Sequence, residues 1–139
     1  MGVTPDLSVR IGSLRLANPF IAASGCFGYG LEYTSAFDIA TLGGFVTKGL
    51  FLSAREGHPP ERIVETPSGM INAIGLQGIG VHRFVREKLP ELRALGATVI
   101  VNVCGTTIEE YAEVSRILSD AEGVAALELN ISCPNIKEG

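Results

Sequence analysis

Four short apolar runs that each end in a polar residue are the feature that most restricts what this chain can fold into. The runs are Phe20–Ser24, Gly43–Lys48, Thr98–Asn102 and Ala126–Asn130. Continuous apolar runs of this length are typical of parallel strands whose two faces are both covered. Helical patterns separate the runs, and an alternating order of strands and helices predicts a parallel sheet with crossover helices.

Three segments predict those helices. A short helix is predicted over Glu32–Ile39, and apolar residues at helical spacing predict a second over Val81–Leu95, interrupted by Pro90. Thr107 and Glu110 have the spacing of a capping box, and apolar residues at helical intervals follow them. The third helix is therefore predicted to begin at this pair.

Two further segments predict short strands outside the four apolar runs. Leu7–Arg10 and Leu14–Leu16, with Gly12 and Ser13 between them, read as an N-terminal hairpin. The region from Gly49 to Gly80 is longer than a crossover needs, and we expect short strands near Ile63–Glu65 and Met70–Asn72 within it. Long loops in compact domains are usually functional.

The polar run ends indicate where a site would lie. In an α/β barrel the carboxyl ends of the parallel strands share the face that holds the active site, so Ser24, Lys48, Asn102 and Asn130 should converge there. The predicted fold is a (β/α)8 TIM barrel, of which this chain supplies about the first four βα units and the N-terminal hairpin. Such barrels need about 250 residues, so we expect residues 1–139 to be the N-terminal half of one domain, cut at Gly139. A small four-stranded doubly wound sheet is the competing fold.

Composition excludes several classes of function. A net charge of −4 with scattered Lys and Arg argues against a nucleic-acid partner. No apolar stretch is long enough to span a membrane, and no signal peptide is recognisable, so a cytoplasmic protein without a membrane partner is expected. Cys26, Cys104 and Cys133 form no C-x-x-C pair, which argues against a metal site, and an odd number of cysteines in a cytoplasmic chain argues against a disulfide framework.

Several residues are candidates for chemistry, each with a simpler alternative. Cys133 follows a strand end and can act as a base or nucleophile, or pack as a loop cysteine. Lys48 can hold an anion, pair with a charge or reach solvent. Ser24 and Asn102 could equally cap the next helix or turn, and Asn72 with the loop after it could be a plain turn.

Two histidines complete the candidates. His58 and His82 lie in polar, loop-like surroundings, and we expect both to be solvated and not catalytic.

Four motifs appear in one order and spacing. They are ASGCFGYG at Ala23–Gly30, VTKGL at Val46–Leu50, NAIGLQ at Asn72–Gln77 and LNISCPN at Leu129–Asn135. Together they resemble the catalytic chain of class 1 dihydroorotate dehydrogenases, and NISCPN followed by Ile and Lys resembles subclass 1B, the NAD-linked type. A cysteine at Cys133 separates the chain from the membrane-associated class 2, which uses serine. Dihydropyrimidine dehydrogenases, which carry a related barrel, are the nearest alternative.

The resemblance implies a role for particular residues. The positions implied to contact flavin mononucleotide (FMN) are Ser24, Thr47, Lys48, Asn102 and Asn130. The positions implied to hold the substrate are Lys48, Asn72, Ala73, Ile74, Gly75, Leu76 and Asn130. Cys133 matches the catalytic base, and Cys26 departs from the family, where a threonine or other small residue is expected.

The resemblance also implies an activity and partners. The family oxidises (S)-dihydroorotate to orotate in pyrimidine biosynthesis, with the cysteine taking the C5 proton and FMN the C6 hydride. Subclass 1B passes its electrons to NAD through a second subunit that carries FAD and a 2Fe–2S cluster, and the catalytic chain is expected to form a homodimer. The alternative from another class is an inactive half-barrel that associates with a second chain.

Overall fold

The computed structural model describes residues 5–131 of the 139. Its strands are β1 (Val9–Ile11), β2 (Leu14–Leu16), β3 (Ile21–Ala22), β4 (Gly44–Val46), β5 (Ile63–Thr66), β6 (Gly69–Asn72), β7 (Val99–Val103) and β8 (Val124–Leu129). Its α-helical segments are α1 (Val81–Arg83), α2 (Leu89–Ala94) and α3 (Ile108–Ser119). The protein is therefore a mixed α/β structure.

A parallel sheet with the strand order β3-β4-β7-β8 lies at the centre of the described chain. All four predicted apolar runs form its strands, which confirms the parallel sheet, although β3 and β4 are shorter than predicted. Ser24, Lys48 and Asn130 follow the ends of their strands, whereas Asn102 lies inside β7, one residue before its end. The four polar residues thus stand at the same edge of the sheet.

The core lies between this sheet and the helices. Phe45 and Val101 on the strands are fully buried, as are Phe84, Val114 and Leu118 on the helical segments. Burying one large apolar side chain contributes about 1.5–3 kcal/mol. The sheet therefore has a strong apolar support behind the edge that carries the polar residues.

The second helical pattern is continuous but irregular. α1 passes into a π-helical turn, Phe84–Lys88, which passes into α2. Pro90 lies at the start of α2; it has no N–H to donate, and in a regular α-helix its ring would crowd the carbonyl four residues earlier, here that of Arg86. The wider π turn accommodates that crowding, so the predicted interruption occurs just before the proline and does not end the helical run.

The prediction of a helix over Glu32–Ile39 is wrong. The structure has two separate 3-10 turns there, Leu31–Tyr33 and Ile39–Thr41. Asp38 between them has extended backbone, and its carboxylate accepts a hydrogen bond from the Ala40 N–H at 3.0 Å. Side chains that bond to nearby backbone compete with helix formation, so Asp38 starts a new turn and does not continue a helix.

The third helix confirms its predicted start. Thr107 is the N-cap of α3, and its Oγ1 accepts a hydrogen bond from the Glu110 N–H at 3.2 Å. α3 has 12 residues. In the described part of the chain, no helix is long and apolar enough to cross a membrane.

The predicted N-terminal hairpin is confirmed, and so are the two short strands predicted between Gly49 and Gly80, which the structure shows to be a second hairpin. β1 pairs antiparallel with β2, and β5 pairs antiparallel with β6, each as a separate two-stranded sheet. Every residue of β5 and β6 is exposed to solvent. The second hairpin therefore stands away from the core.

Candidate active site

A cavity of about 650 Å³ opens at the polar edge of the parallel sheet. It is lined by Ser24, Lys48, Asn102 and Asn130 and by the loop from Asn72 to Leu76. The other lining residues are Gly25, Cys26, Gly28, Tyr33, Gly49, His58 and Cys104. Its size lies within the range of roughly 300–1,000 Å³ that is usual for small-molecule sites. The structure thus brings together the predicted strand-end residues and the predicted substrate loop.

A connected set of polar groups forms the floor of this cavity. The Asn102 side-chain amide donates to a carboxylate oxygen of Glu128 at 2.5 Å, and the Asn130 amide donates to the Asn102 Oδ1 at 3.4 Å. Cys104, which is buried, donates through its thiol to the same Asn102 oxygen at 3.3 Å. Asn102 is only 3% exposed. Its amide is therefore oriented by the protein itself before any ligand arrives.

Thr47 lies behind this floor. Its side chain is fully buried, and its hydroxyl accepts a hydrogen bond from the Asn102 N–H at 3.2 Å. Among the predicted site residues in the described chain, Thr47 is the one that does not line the cavity. Its predicted contact with a cofactor stays a prediction, and its side chain bears on the site by holding Asn102.

Gly49 must be a glycine for the floor to close. A Cβ at this position would lie 2.6 Å from the Cys104 sulfur and 3.0 Å from the Asn102 Oδ1. Lys48, the preceding residue, is half-buried, and its N–H donates to the Gly28 carbonyl at 2.7 Å. Because Gly49 has no side chain, the backbone after β4 can pass close to Cys104 and Asn102, and Lys48 lines the same cavity as Asn102.

The loop that follows β6 forms a second wall of the cavity. The Ile74 carbonyl accepts a hydrogen bond from the His58 N–H at 3.1 Å, and a Cβ on Gly75 would lie 2.5 Å from the imidazole of His58. Gly75 and Leu76 both have positive φ, +75° and +52°. A leucine with a left-handed backbone conformation is uncommon and costs roughly 1–2 kcal/mol. Contacts with the rest of the protein must therefore stabilise the tight turn at Gly75 and Leu76.

Arg62 provides much of that stabilisation. Its guanidinium donates to the His58 carbonyl at 2.5 Å, to the Gln77 side chain at 2.8 Å and to the Glu56 carbonyl at 2.9 Å. The Arg62 carbonyl also accepts from the Ala73 N–H at 2.8 Å. One arginine thus joins both ends of the loop. No local pattern in the sequence indicates this role, because a lone arginine near a strand is typical of a solvated charge.

The two histidines differ in position. His82 lies exposed on α1, as expected. His58 is also exposed, but it lines the cavity and contacts Gly75. The expected exposure of His58 is confirmed, whereas its position at the cavity was not predicted, because the fold brings Gly75 from another part of the chain against it.

The first turn of α3 contacts the floor from behind. One Glu110 oxygen accepts from the Thr106 N–H and hydroxyl, both at 2.8 Å, and the other accepts from the Leu52 N–H at 3.2 Å. The Tyr111 hydroxyl donates to the Asn130 carbonyl. Burial alone would raise the pKa of the Glu110 carboxyl, but these hydrogen bonds and the nearby charge of Arg55 hold that pKa below its ordinary value. The carboxylate therefore stays ionised.

The predicted base lies outside the described residues. Cys133 belongs to the segment 132–139, so Asn130 is the last predicted site residue whose position the structure gives. Within residues 5–131, no group of three or more His, Cys, Asp and Glu side chains is placed to hold a metal ion.

Comparison with known proteins links this geometry to one family. A family model described as dihydroorotate dehydrogenase matches residues 6–139. A curated relative named dihydroorotate dehydrogenase B (NAD(+)), catalytic subunit, from Thermodesulfovibrio yellowstonii is 54% identical over 131 residues, which cover 94% of this chain and 43% of that protein. Relatives of the same name from Geotalea uraniireducens and Bacteroides thetaiotaomicron are 51% and 49% identical, and the matches cover 97% and 96% of this chain. The chain spans less than half the length of these relatives.

Proposed function

Because this chain belongs to the dihydroorotate dehydrogenase family, we propose that it is the N-terminal part of the catalytic subunit of an NAD-linked dihydroorotate dehydrogenase. The complete protein oxidises (S)-dihydroorotate to orotate in pyrimidine biosynthesis. The relatives of that name, which match 94–97% of the chain, support this proposal. The observation that supports it best is the cavity at the sheet edge, which is lined by the strand-end residues and by the loop that the family resemblance implies to hold the substrate.

The proposed architecture is the first half of one (β/α)8 barrel domain. The strands β3, β4, β7 and β8 run parallel in chain order, and their polar ends lie at one edge, as barrel strands require. β3 and β8 are the outer strands of this sheet. The rest of the protein would supply the strands that pair with them and close the barrel.

The cavity fits a flavin, which we take to be FMN. Ser24, Lys48, Asn102 and Asn130 offer hydroxyl, ammonium and amide groups at one wall, matching a heterocycle edged with carbonyl and N–H groups. Gly25 lines the cavity with a φ of +80°, and apart from its neighbours in the chain no heavy atom lies within 4 Å of the place where its Cβ would be. These residues would hold the cofactor, with Thr47 acting through Asn102. When bound, a flavin supplies the hydride acceptance that side chains lack.

The substrate would be held between the two walls of the cavity. Dihydroorotate is an anion, and the Lys48 ammonium attracts its carboxylate. Asn72 and Asn130 can donate to and accept from the edge of the ring, and the backbone from Ala73 to Leu76 closes over it. In this proposal Cys133 takes the C5 proton.

The partners follow from the family as well. The relatives' name specifies a catalytic subunit of an NAD(+) enzyme, which supports a separate electron-transfer subunit for this protein too. We take that subunit to carry FAD and a 2Fe–2S cluster, and the catalytic chain to form a homodimer in the cytoplasm.

The test is anaerobic reduction of the flavin in the full-length protein. Dihydroorotate should bleach the visible flavin band, whereas dihydrouracil, which lacks the carboxylate that Lys48 would attract, should bleach it far more slowly. A flavin-loaded protein that dihydroorotate leaves oxidised would overturn the proposed activity. Faster bleaching by dihydrouracil would favour the dihydropyrimidine dehydrogenase type.

The role of Cys133 needs its own variant. A general base contributes about 10²–10⁴-fold to a rate, so Cys133→Ala should lose that factor in flavin reduction while retaining bound flavin. Cys133→Ser should retain more activity than Cys133→Ala because a hydroxyl can still take the proton. Wild-type reduction by Cys133→Ala would remove the cysteine from the mechanism.

A further inference from the structure

The first turn of α3 touches three of the segments that form the cavity, although Glu110 and Tyr111 do not line the cavity themselves. These two consecutive residues reach in different directions. Glu110 contacts the segments that follow β4 and β7, and Tyr111 contacts the end of β8.

Glu110 connects the two segments that carry the floor. Its carboxylate accepts from Leu52, four residues after Lys48, and from Thr106, two residues after Cys104. Between these contacts the chain segments already run side by side, since the Leu50 N–H donates to the Asn102 carbonyl at 2.8 Å. The Glu110 carboxylate therefore links the two segments beyond the point where they leave the cavity floor.

The contact with Leu52 is not needed for helix capping. The N-cap Thr107 already satisfies the Glu110 N–H, and the Glu110 side chain does not return to Thr107. It reaches to residue 52, which is 58 positions away in sequence. The half-buried Glu110 carboxylate accepts two hydrogen bonds from Thr106, just before α3, and one from Leu52, and thereby ties the start of α3 to the segment that follows β4.

Tyr111 fixes the third segment. Its hydroxyl donates to the Asn130 carbonyl, and its ring packs against Gly105, where a Cβ would lie 2.8 Å from the ring. The Asn130 N–H donates to the Val103 carbonyl at 2.9 Å. Asn130 is thus held at both its backbone polar groups, while its side chain faces the cavity floor.

We propose that Glu110 and Tyr111 are positioning residues of the active site, which hold the Lys48, Asn102 and Asn130 side chains at a fixed spacing. The inference rests on the proposed function, because it takes those three residues to hold the flavin. A misplacement of about 1 Å in such a site can cost 10²-fold in rate. Helix α3 thereby sets the geometry of a site that it does not enter.

The test compares Glu110→Gln and Tyr111→Phe with Glu109→Gln in the full-length protein. Glu109 is the exposed neighbour of Glu110 in the same helical turn, so its variant controls for charge and helix propensity. The flavin-free proteins are titrated with FMN, whose fluorescence reports binding, and the absorption spectrum of the bound flavin and the melting temperature are recorded.

Each test variant should weaken FMN binding about 2- to 10-fold, the factor that corresponds to one lost hydrogen bond, and shift the flavin spectrum. Glu109→Gln should change neither. Lower melting temperatures with wild-type FMN affinity and spectrum would show a purely structural role and overturn the inference. If Glu110→Gln does not fold, Glu110→Asp, whose shorter side chain cannot reach Leu52 as well, replaces it.

The two proposals fail in different ways. A wild-type protein that binds FMN but is not reduced by dihydroorotate would overturn the proposed function, and the affinity comparison would still decide the role of Glu110 and Tyr111. A wild-type protein that is reduced, with variants indistinguishable from Glu109→Gln, would overturn the positioning role alone.

Discussion

The cavity is built from two regions with opposite physical character. The sheet-edge wall, which includes the polar floor described above, carries Asn102. This residue is 3% exposed, and fully buried strand residues lie behind it. The loop wall carries Asn72, at the end of a hairpin whose residues are all exposed. One wall is held by apolar packing and the other by polar contacts such as those of Arg62.

This difference suggests a division of work between the walls. Regions with few buried apolar contacts open locally at a lower free-energy cost than the core. Under the proposed function, a tightly held flavin would suit the packed sheet edge, whereas a substrate that enters and leaves in every cycle would suit the loop. Changes in the sheet should therefore affect stability and flavin binding, and changes in the loop should affect substrate binding.

The largest effect is expected from a core substitution in the sheet. Phe45 is fully buried in β4, and Phe45→Ala should lower the free energy of unfolding by about 3–5 kcal/mol. Ile71 on the hairpin is 65% exposed, so Ile71→Ala should change the free energy of unfolding by no more than about 0.5 kcal/mol. Urea denaturation of the full-length protein measures both. Equal losses of unfolding free energy in the two variants would show that the hairpin is also packed, and would contradict the difference in packing between the two walls.

Two glycines separate the functions of the walls. Gly49→Ala places a Cβ 2.6 Å from the Cys104 sulfur and should weaken flavin binding, with a stability loss of about 1–3 kcal/mol from overpacking. Gly75→Ala meets His58 at 2.5 Å and requires a φ of +75°, so it should raise the KM for dihydroorotate and leave the flavin bound. Flavin content and steady-state kinetics distinguish the two. The division fails if Gly75→Ala releases the flavin.

Arg62 tests whether polar contacts alone hold the loop wall. Arg62→Ala removes three hydrogen bonds and should raise the KM for dihydroorotate about 10-fold, with little change in flavin content. Arg10→Ala, an exposed arginine in β1, is the control and should behave as wild type. An unchanged KM in Arg62→Ala would mean that the hairpin keeps its shape without the arginine.

The smallest expected effect is the pH dependence of the stability that Glu110 contributes behind the sheet-edge wall. The folded-state pKa of Glu110 is lowered from its ordinary value of 4.5. Its contribution to stability is therefore present above that value and is lost as the pH falls through the lowered pKa. The difference in melting temperature between wild type and Glu110→Gln should be full near pH 7 and shrink below about pH 4. A difference that grows on acidification would contradict the assigned direction.

Local patterns predicted most of the elements. Apolar runs identified the strands of the parallel sheet, and the spacing of Thr107 and Glu110 located the start of α3, because periodicity and capping involve residues close in sequence. Glu32–Ile39 failed because the Asp38 carboxylate bonds to local backbone, which outweighs an eight-residue helical pattern. The four predicted strand-end residues do gather at one cavity, whereas Thr47, which only the family resemblance implied, lies behind Asn102.

The amino-acid sequence by itself determined the order of strands and helices and the polar residues at one sheet edge, since both follow from short-range patterns. Only the tertiary structure decided that Arg62 reaches Gln77, that Glu110 reaches Leu52 and that Tyr111 holds Asn130. These partners are 15, 58 and 19 positions apart. Pairs at such separations meet only when the packing of whole elements brings them together, and no periodicity along the chain records that packing.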